Sequence, residues 1–214
     1  HGRLERQGHQ LMTRIICLGD SLTYGYGIPR SQVWTALLAA RTGMECVNRG
    51  VNGTTTGGML AVMTGELEKL HYDAVILMGG SNDLAYGRDL TGARANMGAM
   101  AHIAMSARVC PFIGVPLRPC PPVRSDWSAW ADTQEVRMLR EEYSCWLKEL
   151  CGMFRLPVID FEGEFPRQTE SLGGTLREYY LEDGLHPNKA GHELMADIAA
   201  REISSALERV SDKN

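Results

Sequence analysis

Short apolar runs alternate along the chain with longer segments whose apolar residues recur every three to four positions. Five runs are strand-like: 14–18 (RIICL), 45–48 (ECVN), 73–78 (DAVILM), 109–115 (VCPFIGV) and 156–160 (LPVID). Between and after them the spacing predicts helices over 31–42, 57–69, 91–107, 131–151 and 188–209. In the first helix Ser31 stands at a capping position, and Val33, Trp34, Leu37 and Leu38 share one face. An unbroken apolar run such as 73–78 suits a strand buried on both sides. The alternation therefore predicts an α/β fold, a three-layer α/β/α sandwich around a five-stranded, mostly parallel sheet with right-handed crossovers. The stretch 116–130, broken by Cys120-Pro121-Pro122, reads as irregular, and 161–185 reads as a polar segment.

Composition narrows the picture. At 214 residues, 44% hydrophobic and 22% charged, the chain is globular and long enough for one sizeable core. A net charge of −4 with no basic stripe argues against a nucleic-acid partner. No stretch approaches the eighteen apolar residues of a membrane span. Cys17 and Cys46 lie in apolar runs, where a thiol acts as a small hydrophobe, and the six cysteines include no CxxC pair. A reduced, cytoplasmic protein is the expectation. The opening HGRLERQGHQ has no apolar signal core, so residues 1–11 read as a tail or cloning remnant and 12–214 as one domain.

In a parallel sheet, ligands gather beyond the carboxyl ends of the strands, so the residues that follow each strand matter most. After the first strand comes Gly19-Asp20-Ser21-Leu22-Thr23, and after the second a loop that holds Gly50, Asn52, Gly53 and Thr54. After the third comes Gly79-Gly80-Ser81-Asn82-Asp83, and before the last helix Asp183-Gly184-Leu185-His186-Pro187. Acyl transfer uses these residue types. A serine hydroxyl needs a base to take its proton, histidine titrates in the right range, and a carboxylate fixes the ring's tautomer. Backbone N–H groups and an amide side chain then meet the oxyanion. Glycine at 53 suits this because a side chain would push the backbone N–H away from a substrate, and Pro187 biases His186 toward extended backbone.

Plainer readings stand beside these. Ser21 is also a favourable helix cap, and Asn82 and Asp83 are common turn residues. Gly50, Gly57 and Gly58 compete with Gly53 as the glycine of close approach. Asp183 and His186 alone are too few for a metal site. Asp20 and Asp83 read as support, holding loop amides. Trp127 and Trp130 either line an acyl cleft or pack their loop onto the sheet. Arg118 and Arg124 are expected at the solvated surface, His192 on the outer face of the last helix, and His71 and His102 in structural or solvated positions. The dinucleotide pattern fails at Arg30, and neither a phosphate-binding P-loop nor a G-x-S-x-G elbow is present.

The blocks GDSL (19–22), the glycine loop ending at Gly53, GSND (80–83) and DGLH (183–186) resemble the four ordered blocks of the GDSL, or SGNH, hydrolase superfamily. They bracket nearly the whole domain. The resemblance implies a flavodoxin-like SGNH fold that uses neither metal nor organic cofactor. It implies Ser21 as nucleophile, His186 as base and Asp183 as the carboxylate that orients it. The oxyanion donors it implies are the Ser21 and Gly53 N–H groups and the Asn82 side chain. GDSLTYGYGI and EDGLHPN are similar to the thioesterase I/lysophospholipase L1 branch, although Thr54 stands where that branch more often has an acidic residue. The implied activity is a serine esterase for small-molecule acyl esters, thioesters among them, with short to medium chains. A carbohydrate O-acetylesterase or an acyltransferase would use the same groups, and a non-catalytic ligand-binding module would not need them intact.

Overall fold

The computed structural model describes residues 13–211, so the tail assigned to 1–11 and Met12 lie outside the described residues. The strands are β1 (Arg14–Gly19), β2 (Glu45–Gly50), β3 (Ala74–Met78), β4 (Cys110–Val115) and β5 (Val158–Asp160). The helices are α1 (Ser21–Tyr24), α2 (Trp34–Thr42), α3 (Thr56–Lys69), α4 (Leu90–Ser106), α5 (Ser125–Ala131), α6 (Gln134–Phe154), α7 (Phe161–Ser171) and α8 (Lys189–Ser211). The sheet runs in the order β2-β1-β3-β4-β5, and every pairing is parallel.

Strand alternation divides the core between the two faces of the sheet. Ile15 and Cys17 of β1 and Ile76 of β3 join Trp34, Phe161, Phe165 and Met195 from α2, α7 and α8. Ile16, Leu18 and Leu77 join Met63, Met97, Tyr143 and Leu147 from α3, α4 and α6. The result is the expected three-layer sandwich, with all six cysteines unpaired. Among the described residues no helix is long and apolar enough to cross a membrane.

The polar 161–185 segment contains a helix, α7, which buries only Phe161, Phe165 and Thr169. Three buried positions among glutamates, with Pro166 inside the helix, hide its period. The irregular stretch 116–130 likewise contains α5. Ser31 does not cap α2; it lies in a 3₁₀ turn, Arg30–Gln32, and α2 begins at Trp34.

The cap comes instead from His192, which is fully buried rather than on the outer face of α8. Its Nδ1 accepts the Trp34 N–H at 3.1 Å, satisfying one of the amides that a helix start leaves without an internal acceptor. His192 lies on the same stripe of α8 as buried Met195, Ala196 and Ala199, which explains its burial. An accepting Nδ1 requires the neutral ring, and burial, helped by the nearby His186, holds the His192 pKa down at about 4.

This makes His192 an acid-sensitive support. The unfolded chain binds a proton there near pH 6.5 and the folded chain only near 4. Its contribution is therefore full above about pH 6.5 and lost as pH falls toward 4, by at most about 3 kcal/mol. Chemical denaturation of wild type and His192→Gln at pH 7.5 and 5 tests this: the stability gap between the two proteins should narrow at pH 5. A gap that stays constant or widens contradicts the assignment.

Candidate active site

The sheet order changes direction between β1 and β3, and a cleft opens there beyond the strand ends. Ser21 enters it from the β1 side as the first residue of α1, a single helical turn. Asp20 caps that turn, its Oδ1 accepting the Leu22 N–H at 2.9 Å. The Ser21 N–H, at the helix start, has no acceptor among the described residues.

His186 arrives from the opposite side of the chain map. Its Nε2 lies 2.9 Å from Ser21 Oγ, and its Nδ1 lies 2.8 Å from Asp183 Oδ2. Asp183 Oδ1 also accepts the backbone N–H groups of Leu185 and His186, at 2.8 and 2.9 Å. Burial raises the Asp183 pKa, but the bonds from the His186 ring and these two amides outweigh it and hold the carboxyl below its ordinary value. An ionised carboxylate can only accept, so Nδ1 carries the proton and Nε2 is left to accept from the serine hydroxyl.

The loop bearing these residues is held from below. The Cys120 N–H donates to Gly184 O at 2.8 Å and the Arg124 N–H to Asp183 O at 3.0 Å. Arg177 donates to the carbonyls of Cys120, Pro122 and Glu182. Gly184 has φ +70, and a Cβ there would lie 2.6 Å from Pro122 O, so the 117–124 stretch passes too close for any other residue.

Gly53 and Asn82 complete the rim of the cleft. Asn82 Nδ2 donates to Thr54 O at 2.8 Å, which spends one of its two N–H groups and ties the third strand's loop to the second's. Asp83 turns away from the cleft. Its carboxylate accepts the Thr56 N–H and hydroxyl, closing over the start of α3. The Gly53 N–H has no acceptor among the described residues. Space is not the reason for glycine here, since a Cβ would meet nothing nearer than Tyr86 Oη at 3.9 Å. The reason is φ +74, a left-handed backbone that L side chains disfavour.

Trp127 and Trp130 both line the cleft from α5. Two aromatic neighbours were not singled out by the sequence reading. Tyr26 lies 4.5 Å from the His186 ring between centroids, and Trp127 meets the same ring edge-on at 5.8 Å. Tyr86 stacks on Trp130 at 4.9 Å and is 56% exposed at the mouth. Tyr26 sits inside the quoted GDSLTYGYGI block, and Tyr86 lies one turn beyond Asn82, so spacing was the available signal for both. Arg118 is paired with Glu141 and Glu162. Arg124 is paired with Asp126 and covers Trp127 at 3.5 Å. Among the described residues no three His, Cys, Asp or Glu side chains are grouped to hold a metal ion.

A hydroxyl, an imidazole and a carboxylate in hydrogen-bonded series, at the switch point of a parallel sheet, are the groups that acyl-transfer hydrolases of several kinds use. The sequence signature of the GDSL-like lipase/acylhydrolase family matches residues 17–194, and the chain belongs to that family. An arylesterase of Vibrio mimicus is 24% identical over 212 residues, covering 92% of each chain. Solved structures similar to it include a member of the lipolytic G-D-S-L family from Veillonella parvula. That one has TM-score 0.72 and 25% identity, with 88% of this chain and 97% of that one covered. Est24, a carbohydrate acetylesterase from Sinorhizobium meliloti, superposes with TM-score 0.74 at 18% identity, covering 91% of this chain and 99% of its own.

Burial pushes the Asp20 pKa up to about 6, only partly offset by the Leu22 N–H. A raised carboxyl pKa means stability is greatest at low pH and is lost as pH rises through about 6. Asp20→Ala should cost about 1 kcal/mol as a lost cap. Asp20→Asn keeps an accepting oxygen without the charge, so its stability relative to wild type should improve from pH 5 to pH 8. Denaturant midpoints at the two pH values measure this, and an unchanged difference would contradict it.

Proposed function

We propose that the cleft hydrolyses carboxylic esters through an acyl-enzyme on Ser21. The observation that carries the reading is the continuous series Ser21 Oγ, His186, Asp183 at 2.9 and 2.8 Å. Ser21 Oγ attacks the acyl carbonyl while His186 Nε2 takes its proton, and the carbonyl oxygen becomes an oxyanion. The N–H groups of Ser21 and Gly53 and the second N–H of Asn82 Nδ2 stabilise that oxyanion, each such donor being worth roughly 3 kcal/mol in other hydrolases. The tetrahedral intermediate collapses, and the leaving alcohol or thiol departs with the proton held by His186. Water then gives a proton to His186, attacks the acyl-enzyme and releases the acid, and His186 returns the proton to Ser21. Asp183 keeps the ring in the productive tautomer throughout.

Short to medium acyl groups are the proposed substrates. The cleft holds about 210 Å³, below the roughly 300–1,000 Å³ of sites for drug-sized ligands. A second reading, removal of acetyl groups from carbohydrates, is favoured by the aromatic mouth, where exposed Tyr86 stacks on half-buried Trp130 and offers a flat surface suited to a ring. Acetate release from acetylated glycans, compared with hydrolysis of simple acyl esters of increasing length, separates the two.

A fluorophosphonate probe should label wild type and not Ser21→Ala. Labelling of neither protein would sink the mechanism. Ser21→Ala and His186→Ala should each lower kcat by about 10⁶ and Asp183→Ala by about 10⁴, because the three act as a unit. Gly53→Ala keeps the N–H but strains the backbone by roughly 1–2 kcal/mol. Its expected signature is a kcat at least about tenfold lower with KM little changed; a fall confined to KM would exclude Gly53 from transition-state stabilisation.

A further inference from the structure

Apart from the Ser21 amide, the donors assigned to the oxyanion stand on different loops, Gly53 after β2 and Asn82 after β3. The sheet does not tie these loops directly, because β1 lies between β2 and β3. Two cross-links do. In the first, Val51 to Thr54 form a turn that the Thr54 N–H closes on Val51 O at 3.2 Å, with Gly53 third in the turn, where a positive φ is wanted. Thr54 O then accepts Asn82 Nδ2 at 2.8 Å. In the second, the Thr56 N–H and hydroxyl donate to the Asp83 carboxylate at 2.9 and 2.5 Å. A single link would act as a hinge. Two links, at 54–82 and 56–83, fix both the separation and the orientation of the loops.

The second link is built for rigidity. Thr56 is fully buried and Asp83 nearly so, which keeps water from competing for their bonds. The Thr56 hydroxyl also accepts Asn96 Nδ2 at 3.1 Å, from the neighbouring helix α4. A hydroxyl has one proton, so a donor on one side and a carboxylate on the other leave it one orientation. Valine would fill nearly the same space, so packing alone does not call for a hydroxyl here. The β3 loop is held from α6 as well: the Tyr143 hydroxyl donates to Gly79 O at 3.1 Å, and its ring lies where a Cβ on Gly80 would fall. We propose that Thr56, steadied by Asn96, is a positioning residue for ester hydrolysis: through Asp83 it sets the spacing between the Gly53 N–H and the Asn82 amide, and hence the fit of the oxyanion between them. This rests on the reading of Gly53 and Asn82 as oxyanion donors. Such donors are matched to the transition state rather than to the bound ester, so a change in their spacing acts on kcat.

The test measures hydrolysis of p-nitrophenyl butyrate by wild type, Thr56→Val, Thr56→Ser and Asn96→Ala. Rates are expressed per site titrated to completion with a fluorophosphonate, so that unfolded protein is not counted. Thr56→Val should lower kcat by about tenfold to a hundredfold, the loss expected for donors misplaced by up to about 1 Å, with KM within about twofold of wild type. It should weaken butylboronic acid, whose tetrahedral adduct puts an oxygen between the same donors, by a similar factor. Thr56→Ser keeps the hydroxyl and should stay within about threefold of wild type in both measurements, and Asn96→Ala should show a smaller loss of the same kind. An unchanged kcat in Thr56→Val, a loss confined to KM, or an unchanged boronate affinity would overturn the proposal. So would a Thr56→Ser as impaired as Thr56→Val, because the methyl group and not the hydroxyl would then matter. If Thr56→Val does not fold, Asn96→Ala decides in its place: it leaves both Asp83 bonds intact, and a kcat and boronate affinity equal to wild type overturn the proposal. Gly53→Ala separates this inference from the reading beneath it. If Gly53→Ala slows catalysis and Thr56→Val does not, the role of Thr56 alone fails; if neither does, the oxyanion assignment fails with it.

Discussion

One hydrogen bond, 2.9 Å from His186 Nε2 to Ser21 Oγ, joins residues 165 positions apart, and most of the architecture serves to make it. Neither partner is placed by local propensity alone. Ser21 is set by the sharp passage from β1 into a single turn of helix. His186 is set by a loop that has little regular structure and is fixed by hydrogen bonds instead. Asp183 is used by that loop twice over: one oxygen gathers two backbone amides and shapes the turn, and the other orients the ring. The same carboxylate thus shapes the loop and orients the imidazole, so the two effects cannot be separated by mutation at that position.

Much of this was legible in the chain. The β3 run AVILM announced a strand buried on both sides, and all five strands and five of the larger helices lie within a few residues of where periodicity put them. The candidate site was legible because strand ends in a parallel sheet converge, which pointed to Ser21, the glycine loop and Asn82, while Asp183 and His186 stood out ahead of the last helix and the family resemblance chose Gly53 among its rivals. What periodicity missed has physical causes. A helix such as α7 that buries three residues carries too weak an apolar stripe to stand out against its glutamates and proline. His192 looked like a surface histidine because its residue type is polar, whereas its register on α8 puts it against α2. Tyr26, Tyr86 and Arg140 reach the cleft from positions whose side-chain direction only the packed structure fixes.

Buried polar groups around the cleft are handled in different ways. Asp83 is surrounded by the Thr56 amide and hydroxyl, yet burial still leaves its pKa above the ordinary carboxylate value. Asp20 has fewer donors and lies deeper, and its pKa rises to about 6. Asp183, with three donors, goes the other way. Donor count against burial decides the sign in each case. The two supporting carboxylates bind donors at the starts of α1 and α3, while the one that meets the imidazole is the one best supplied with N–H groups.

The loop that carries Asp183 and His186 runs straight into α8, whose His192 caps α2. The imidazole that faces Ser21 and the ring that supports α2 thus share one short stretch of chain, so any loosening of α8 from α2 is felt at the Ser21–His186 contact.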